Sequence, residues 1–419
     1  MKCEIKLKFD WLFWFILLLP TFYLANKDLR HVQMNFFQIS IILMIALVHV
    51  NKWIGAFIGW ALFQLVFFSE APGKSIILQN ICFGGILYHF IVKYATQLKK
   101  YCWAFFILLA LNVTWCGLQY LQLDPIFTQA NPQFQKHFSD LSGFFTLPAF
   151  LGNFAAISIS LCCFLNPLLG LVAIPALILS KSSFSLLAAG GSMLFFWWFR
   201  KRIVFWAMLA LMLSLGSIYV VKYDAPSGQF SKRLKLWNLV IKEGFKTQFF
   251  GHGLGTYGAR YSFIEVTPSG EMIMARNDRE AHLFILNEAI KMKKKPVIDY
   301  MVGKSTTEVD TLTLKKICQH EAMDFEIWTN PHNEFVQVFF EMGAVGVFIV
   351  FGFIGNMFLR FYRAKKSKEL ITLGASFLAV CVISLGHFPF YVARLAGPCL
   401  VVMALFEYFL WREENADAC

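Results

Sequence analysis

Apolar runs of about 20 residues, separated by short polar turns, repeat along most of this chain, and that length is what a helix needs to cross a bilayer. The pattern predicts about twelve membrane spans, centred near residues 18, 43, 60, 83, 111, 154, 173, 191, 212, 346, 379 and 401. It is weakest around Asn166-Pro167 and in the run that ends at Ser180. One long polar stretch, from about Lys222 to Asn333, interrupts the series between the ninth and tenth spans. The expected fold is therefore an all-α polytopic membrane protein in three parts. Residues 1–221 form an N-terminal bundle, 222–333 a largely helical loop domain, and 334–419 the C-terminal helices.

Within the loop, Ser231 to Thr247 has helical periodicity. Leu234, Trp237, Ile241 and Phe245 make an apolar stripe interleaved with Arg233, Lys235, Lys242 and Lys246. Arg233 lies one turn before Trp237, where packing can hold the guanidinium while its fork stays available to a phosphate. The competing reading is an arginine that only snorkels from an interfacial helix. Gly251, Gly253 and Gly255 follow in a run that continues to Gly258. Its G-x-G-x-x-G spacing lacks the strand–turn–helix setting of a dinucleotide site, so a tight turn with close backbone approach is expected instead. Arg276, Arg279 and His282 form a second basic cluster, readable equally as a solvated face. Leu314, Cys318, Ala322 and Phe325 suggest a helical packing stripe over Thr311 to Trp328.

The loop ends in Asn330-Pro331-His332-Asn333-Glu334, directly before the tenth span. Pro331 fits a first helical turn and Asn330 can cap it, which puts His332 at a helix N-terminus on a water–membrane boundary. The helix dipole there favours an anionic ligand and a neutral imidazole, an arrangement suited to a general base. Lys181, at an outer turn between Ser180 and Ser182, is another candidate cation, with snorkelling as the alternative.

The chain has 419 residues, is 58% hydrophobic and carries a formal net charge of +12. Sixteen short-loop Lys/Arg residues fall on one predicted face and six on the other, so the charge is topogenic rather than a nucleic-acid footprint. The richer face marks the cytoplasm and places both termini inside, with the long loop on the opposite side. Only Cys318 of the ten cysteines lies in the loop, which excludes an internal disulfide framework there. His252, His282, His320 and His332 match no local ligand spacing, so no metal is expected.

Taken together, the span pattern, Arg233-x-x-x-Trp237, Gly251-x-Gly253-x-Gly255, Pro331-His332-Asn333-Glu334-Phe335 and Glu341-x-Gly343-x-x-Gly346 resemble the O-antigen ligase and O-antigen polymerase superfamily. These are bacterial inner-membrane glycosyltransferases of the GT-C type, and the resemblance is specific from about Leu179 to Gly346. It implies an undecaprenyl-diphosphate-linked glycan as donor, transferred with inversion and without a metal or other cofactor on the periplasmic face. The implied acceptor is a lipid A–core hydroxyl for a ligase, another lipid-linked repeat for a polymerase, or a protein hydroxyl for an O-oligosaccharyltransferase. His332 matches the family's loop histidine and Arg233 an arginine that holds the donor diphosphate. Arg279, then Arg276, are the choices for a second arginine, with Asn333, Glu334 and the three loop glycines in support. Where members often carry Ser-Arg, this chain has Ser182-Ser183 with Lys181 just before, a point charge in place of a fork. Membrane lipids are the remaining expected partners. A different class, a transporter of lipid-linked glycans, would place its polar sites at the midplane of broken helices with internal repeats, and no repeat is evident.

Overall fold

The computed structural model describes residues 52–67, 84–123, 141–210 and 227–415, with brief interruptions inside these ranges. In chain order the elements are α1 (Lys52–Phe67), α2 (Leu98–Tyr120), α3 (Pro148–Leu165), α4 (Ala173–Ser180), α5 (Ser183–Arg200) and α6 (Ser227–Thr247). There follow β1 (Ser262–Thr267), β2 (Glu271–Ala275), α7 (Asp278–Lys291), α8 (Lys295–Met301), α9 (Thr311–His320) and β3 (Asp324–Trp328). The chain then runs through α10 (Glu334–Arg363), α11 (Lys368–Gly386) and α12 (Ala393–Glu414).

Among the described residues, five helices are long and apolar enough to cross a membrane: α2, α3, α10, α11 and the Leu395–Glu414 part of α12. They coincide with the spans expected near residues 111, 154, 346, 379 and 401. The run near 173 is shorter than expected. Pro167 cannot continue α3, Asn166 accepts a hydrogen bond from the Leu168 N–H (2.9 Å), and a 3-10 turn over Pro167–Val172 leads into the eight-residue α4. Of the other runs, α1 has 16 residues, and α5 is diluted by serine, glycine and tryptophan. The runs near 18 and 43 lie outside the described residues, and those near 83 and 212 lie partly outside.

The chain divides into two compact units, one of Met1–Gly55, Gln79–Asp224 and Phe351–Cys419, the other of Ala56–Leu78 and Ala225–Val350. In the first, α11 packs on α5 and α3, and α2 packs on α3, around buried Phe105, Phe154, Phe196, Phe377 and Phe406. The Ser160 and Ser376 hydroxyls meet at 2.6 Å between α3 and α11, a polar contact of the kind that joins helices in apolar surroundings.

The second unit has the helices expected of the loop and adds what the sequence did not show, a three-stranded antiparallel sheet in the order β2-β1-β3. Phe263 pairs with Met274 on one side and Trp328 on the other. Alternate residues face opposite sides. Phe263, Met272 and Met274 share a cluster with Leu236 and Val240 of α6 and with Val336 and Phe340 of α10. Ile264, Val266, Ala275 and Phe325 pack instead with Ile285, Ala289, Val297 and Leu314 of α7, α8 and α9. The Thr311–Trp328 stripe is therefore half helix and half strand. Leu314 and Cys318 are buried in α9, the backbone turns through Ala322 (φ 52°), and Phe325 belongs to β3.

Candidate functional site

α6 buries only half of the stripe its sequence suggests, with Trp237 and Ile241 packed partly against the sheet and α10. Its core face is Leu236, Val240 and Gly244, whereas Leu234 and Phe245 are exposed. Gly244 is required at the crossing with α10, since a Cβ there would lie 2.7 Å from the Phe339 ring. Lys232 pairs with the buried Glu265 of β1 at 3.1 Å and ties α6 to the sheet. With the helix so held, Trp237 donates its indole N–H to the Pro331 carbonyl at 2.7 Å. The segment that carries His332 is thereby fixed one helical turn from Arg233.

His332 does not sit in a first helical turn. α10 begins at Glu334, and its cap is Asn333, whose side chain accepts from the Val336 N–H (3.1 Å) and whose carbonyl accepts from the Gln337 N–H (3.1 Å). Pro331 and His332 precede the cap, and His332 is left-handed, with φ 49°. Histidine tolerates this region better than most residues, but a non-glycine side chain there still marks a conformation imposed by its surroundings. The imidazole is half-buried. Loss of solvent, and then the nearby Arg233 charge, push its pKa down to about 4. Burial also lowers the Arg233 pKa from its ordinary value. At neutral pH His332 is a neutral imidazole within electrostatic reach of the Arg233 guanidinium. Asn333 and Glu334, the next two residues, are buried.

The glycine run is a turn, and its partner is a break in α10. Gly343 has φ 65° and ψ −165°, a region essentially reserved for glycine, and it interrupts the helix. In an unbroken helix the Phe340 and Glu341 carbonyls would accept from residues 344 and 345. Here the N–H groups of His252 (2.8 Å) and Gly253 (2.9 Å) reach them instead. The backbones interlock so closely that a Cβ on Gly251 would lie 2.5 Å from the Glu341 carbonyl oxygen, and one on Gly343 would lie 2.3 Å from that of Phe249. Gly251, Gly253 and Gly255 all have positive φ. Gly258 lies outside the described residues. The fully buried Glu341 accepts from the Tyr257 N–H at 3.1 Å and from the Gln337 amide at 3.5 Å. On the other side, Trp60 donates to the Met342 carbonyl (3.0 Å) and Gln64 to that of Phe250 (2.6 Å). Sequence reasoning missed this lock, although a buried acid two residues before a glycine in an apolar run was its visible sign.

The structure thus holds the Pro331–Glu334 segment against α6 one turn from Arg233, whereas the Gly251–Gly255 turn packs two turns farther along α10, at Phe340 to Gly343. Arg279 is part of neither. It is exposed in the first turn of α7, a helix on the sheet face opposite α6. Arg276 lies outside the described residues. Lys181 belongs to the other unit, exposed and left-handed (φ 49°) at the end of α4. Next to it the Ser182 hydroxyl lies 2.9 Å from His387 Nε2 and accepts the Ser185 N–H at 3.2 Å, capping α5. Among the described residues no three His, Cys, Asp or Glu side chains gather as a metal site. A guanidinium within electrostatic reach of a neutral imidazole, on a strained segment held by a tryptophan and a cap, can bind an anion and accept a proton. No protein-family model matches the chain, and no curated protein matches it.

Proposed function

We propose that this chain is a membrane-embedded glycosyltransferase of the O-antigen ligase type, moving a glycan from undecaprenyl diphosphate to a lipid A–core hydroxyl on the periplasmic face. The observation that carries the reading is the 2.7 Å bond from Trp237, one turn from Arg233, to the Pro331 carbonyl, which holds a mostly desolvated His332 within electrostatic reach of the Arg233 guanidinium. Arg233 takes the donor diphosphate, where a planar fork matches the oxyanions. His332 accepts the proton of the acceptor hydroxyl as that oxygen forms its bond to the anomeric carbon. The bond from that carbon to the lipid diphosphate breaks, the configuration inverts, and Arg233 stabilises the charge growing on the leaving group. An imidazole with a pKa near 4 is a weak base. The bound diphosphate offsets the Arg233 charge that helps to depress it, so base strength rises when the donor is in place.

Polymerase or O-oligosaccharyltransferase chemistry would use the same donor and the same pair, differing only in the acceptor. Expression in a strain that lacks its own ligase separates the readings. Glycan joined to lipid A–core supports the ligase, longer lipid-linked chains without transfer to core support the polymerase, and modified protein supports the third. Glycan moved across the membrane with no new glycosidic bond would identify a transporter and end the enzyme reading.

A further inference from the structure

Protein covers only part of the apolar surface of α6. Leu236, Val240 and Gly244 are buried against the sheet and α10. Leu234 is 47% exposed and Phe245 58%, and the turn that follows adds Phe249 at 62% and Phe250 at 44%. A cluster of exposed large side chains on one side of a domain marks a contact surface. Its position says which kind. Phe245 meets Phe339 edge to face, with ring centroids 5.1 Å apart, and Phe339 is five residues into α10, a helix long and apolar enough to cross a membrane. Phe250 stacks on Trp60 at 6.0 Å, within the apolar α1. The patch is therefore continuous with the outer end of a membrane-length helix. Lys242 and Lys246, both exposed, lie on the neighbouring side of the same stretch of α6, over a cleft toward Met272–Met274 of β2, and Lys246 also pairs with Glu243. Aromatic side chains on one side of a helix and lysines on the next suit the headgroup layer, where rings reach the acyl boundary and long ammonium side chains meet lipid phosphates.

We propose that the Leu234–Phe245 face of α6 and the Phe249–Phe250 turn rest in an anionic phospholipid surface. This rests on the membrane-embedded part of the functional reading and on nothing about glycan transfer. Because Arg233 is on the same helix, the contact holds its guanidinium at the depth of lipid phosphates, where a lipid-linked diphosphate would present its charge.

The test is photo-crosslinking of the full chain in nanodiscs of phosphatidylethanolamine and phosphatidylglycerol, with p-benzoyl-phenylalanine in place of Phe245, Phe249 or, as control, the exposed Gln319 of α9. Lipid adducts at positions 245 and 249, none at 319, and phosphatidylglycerol enriched over its share of the bilayer are expected. The enrichment should vanish in the Lys242→Gln, Lys246→Gln double variant while adducts persist. Absence of lipid adducts at 245, or adducts with no preference for the anionic lipid, would overturn the proposal. The readout needs no donor or acceptor, so its outcome is separate from that of the transfer assay.

Discussion

At the scale of single residues, the account rests on a histidine kept neutral and an arginine kept in place. With His332 depressed to about 4 from an ordinary 6.5, the free protein loses its base only well below neutral pH. The acid limb of kcat/KM should therefore have its midpoint nearer 4 than 6.5, while that of kcat, which reports the donor complex, should lie higher. A kcat/KM midpoint at 6.5 would mean that the imidazole is not shielded as described. The same depression ties His332 to stability. The folded state prefers the neutral ring, so this contribution is complete above about pH 6.5 and is lost as pH falls toward 4. Arg233 is tested by Arg233→Lys. If its fork binds the diphosphate, lysine should cost about 10- to 100-fold in donor-dependent kcat/KM, nearly as much as alanine, in line with the ~1.5–3 kcal/mol of a charged hydrogen bond. Near-full activity of the lysine variant, in transfer measured against donor concentration, would reduce Arg233 to interfacial packing.

At the scale of elements, the break in α10 and the turn that fills it form one device. Gly343→Ala puts a side chain into a glycine-only region and into the Phe249 carbonyl, so the loss should exceed the ~1–3 kcal/mol of backbone strain alone. Gly355→Ala, in open space on the same helix, should be close to neutral. Thermal unfolding of the two variants in detergent makes the comparison, and equal stability would count against the interlock. Glu341→Ala should release the Tyr257 N–H and loosen the same lock, whereas Glu341→Gln keeps an acceptor and should retain most of the stability. Much of this level was legible in the sequence, for reasons that also show its limits. The long helices follow from composition, since an apolar run of membrane length has few other stable forms. Gly251 to Gly255 read as a turn because positive φ is what closely spaced glycines supply. The sheet was not legible. β1, β2 and β3 have five or six residues each, and β3 follows a helix whose stripe carries on into it through Leu314, Cys318 and Phe325. Strand pairing over more than 50 residues leaves no local period to find. The α6 stripe was half right, because Trp237 and Ile241 pack on protein while Leu234 and Phe245 stay exposed, and periodicity alone does not tell how far round a helix the protein cover extends.

At the scale of the whole molecule, five described helices can cross a membrane, and the basic residues of the short loops predict which ends are cytoplasmic. Alkaline phosphatase fused after Lys295 should be active in the periplasm, and fused after Lys366 it should be inactive. The reverse pattern would put His332 on the wrong side for a periplasmic donor. The His332 site itself was legible as a residue but not as a geometry. The histidine could be picked out from its place before an apolar run, whereas the Trp237 bond to the Pro331 carbonyl spans 94 positions and the left-handed backbone of His332 has no local sequence sign. The cap is local, but at Asn333 rather than at the expected Asn330. The central claim is that this site transfers a glycan with His332 as base, and one measurement bears on it most directly. It is the rate of glycan transfer from undecaprenyl diphosphate to lipid A–core by the purified protein in nanodiscs, compared between the native chain and His332→Ala. The account predicts transfer by the native chain and a loss of about 10²–10⁴-fold in a variant that stays folded and membrane-inserted. Equal rates from the two proteins would contradict it.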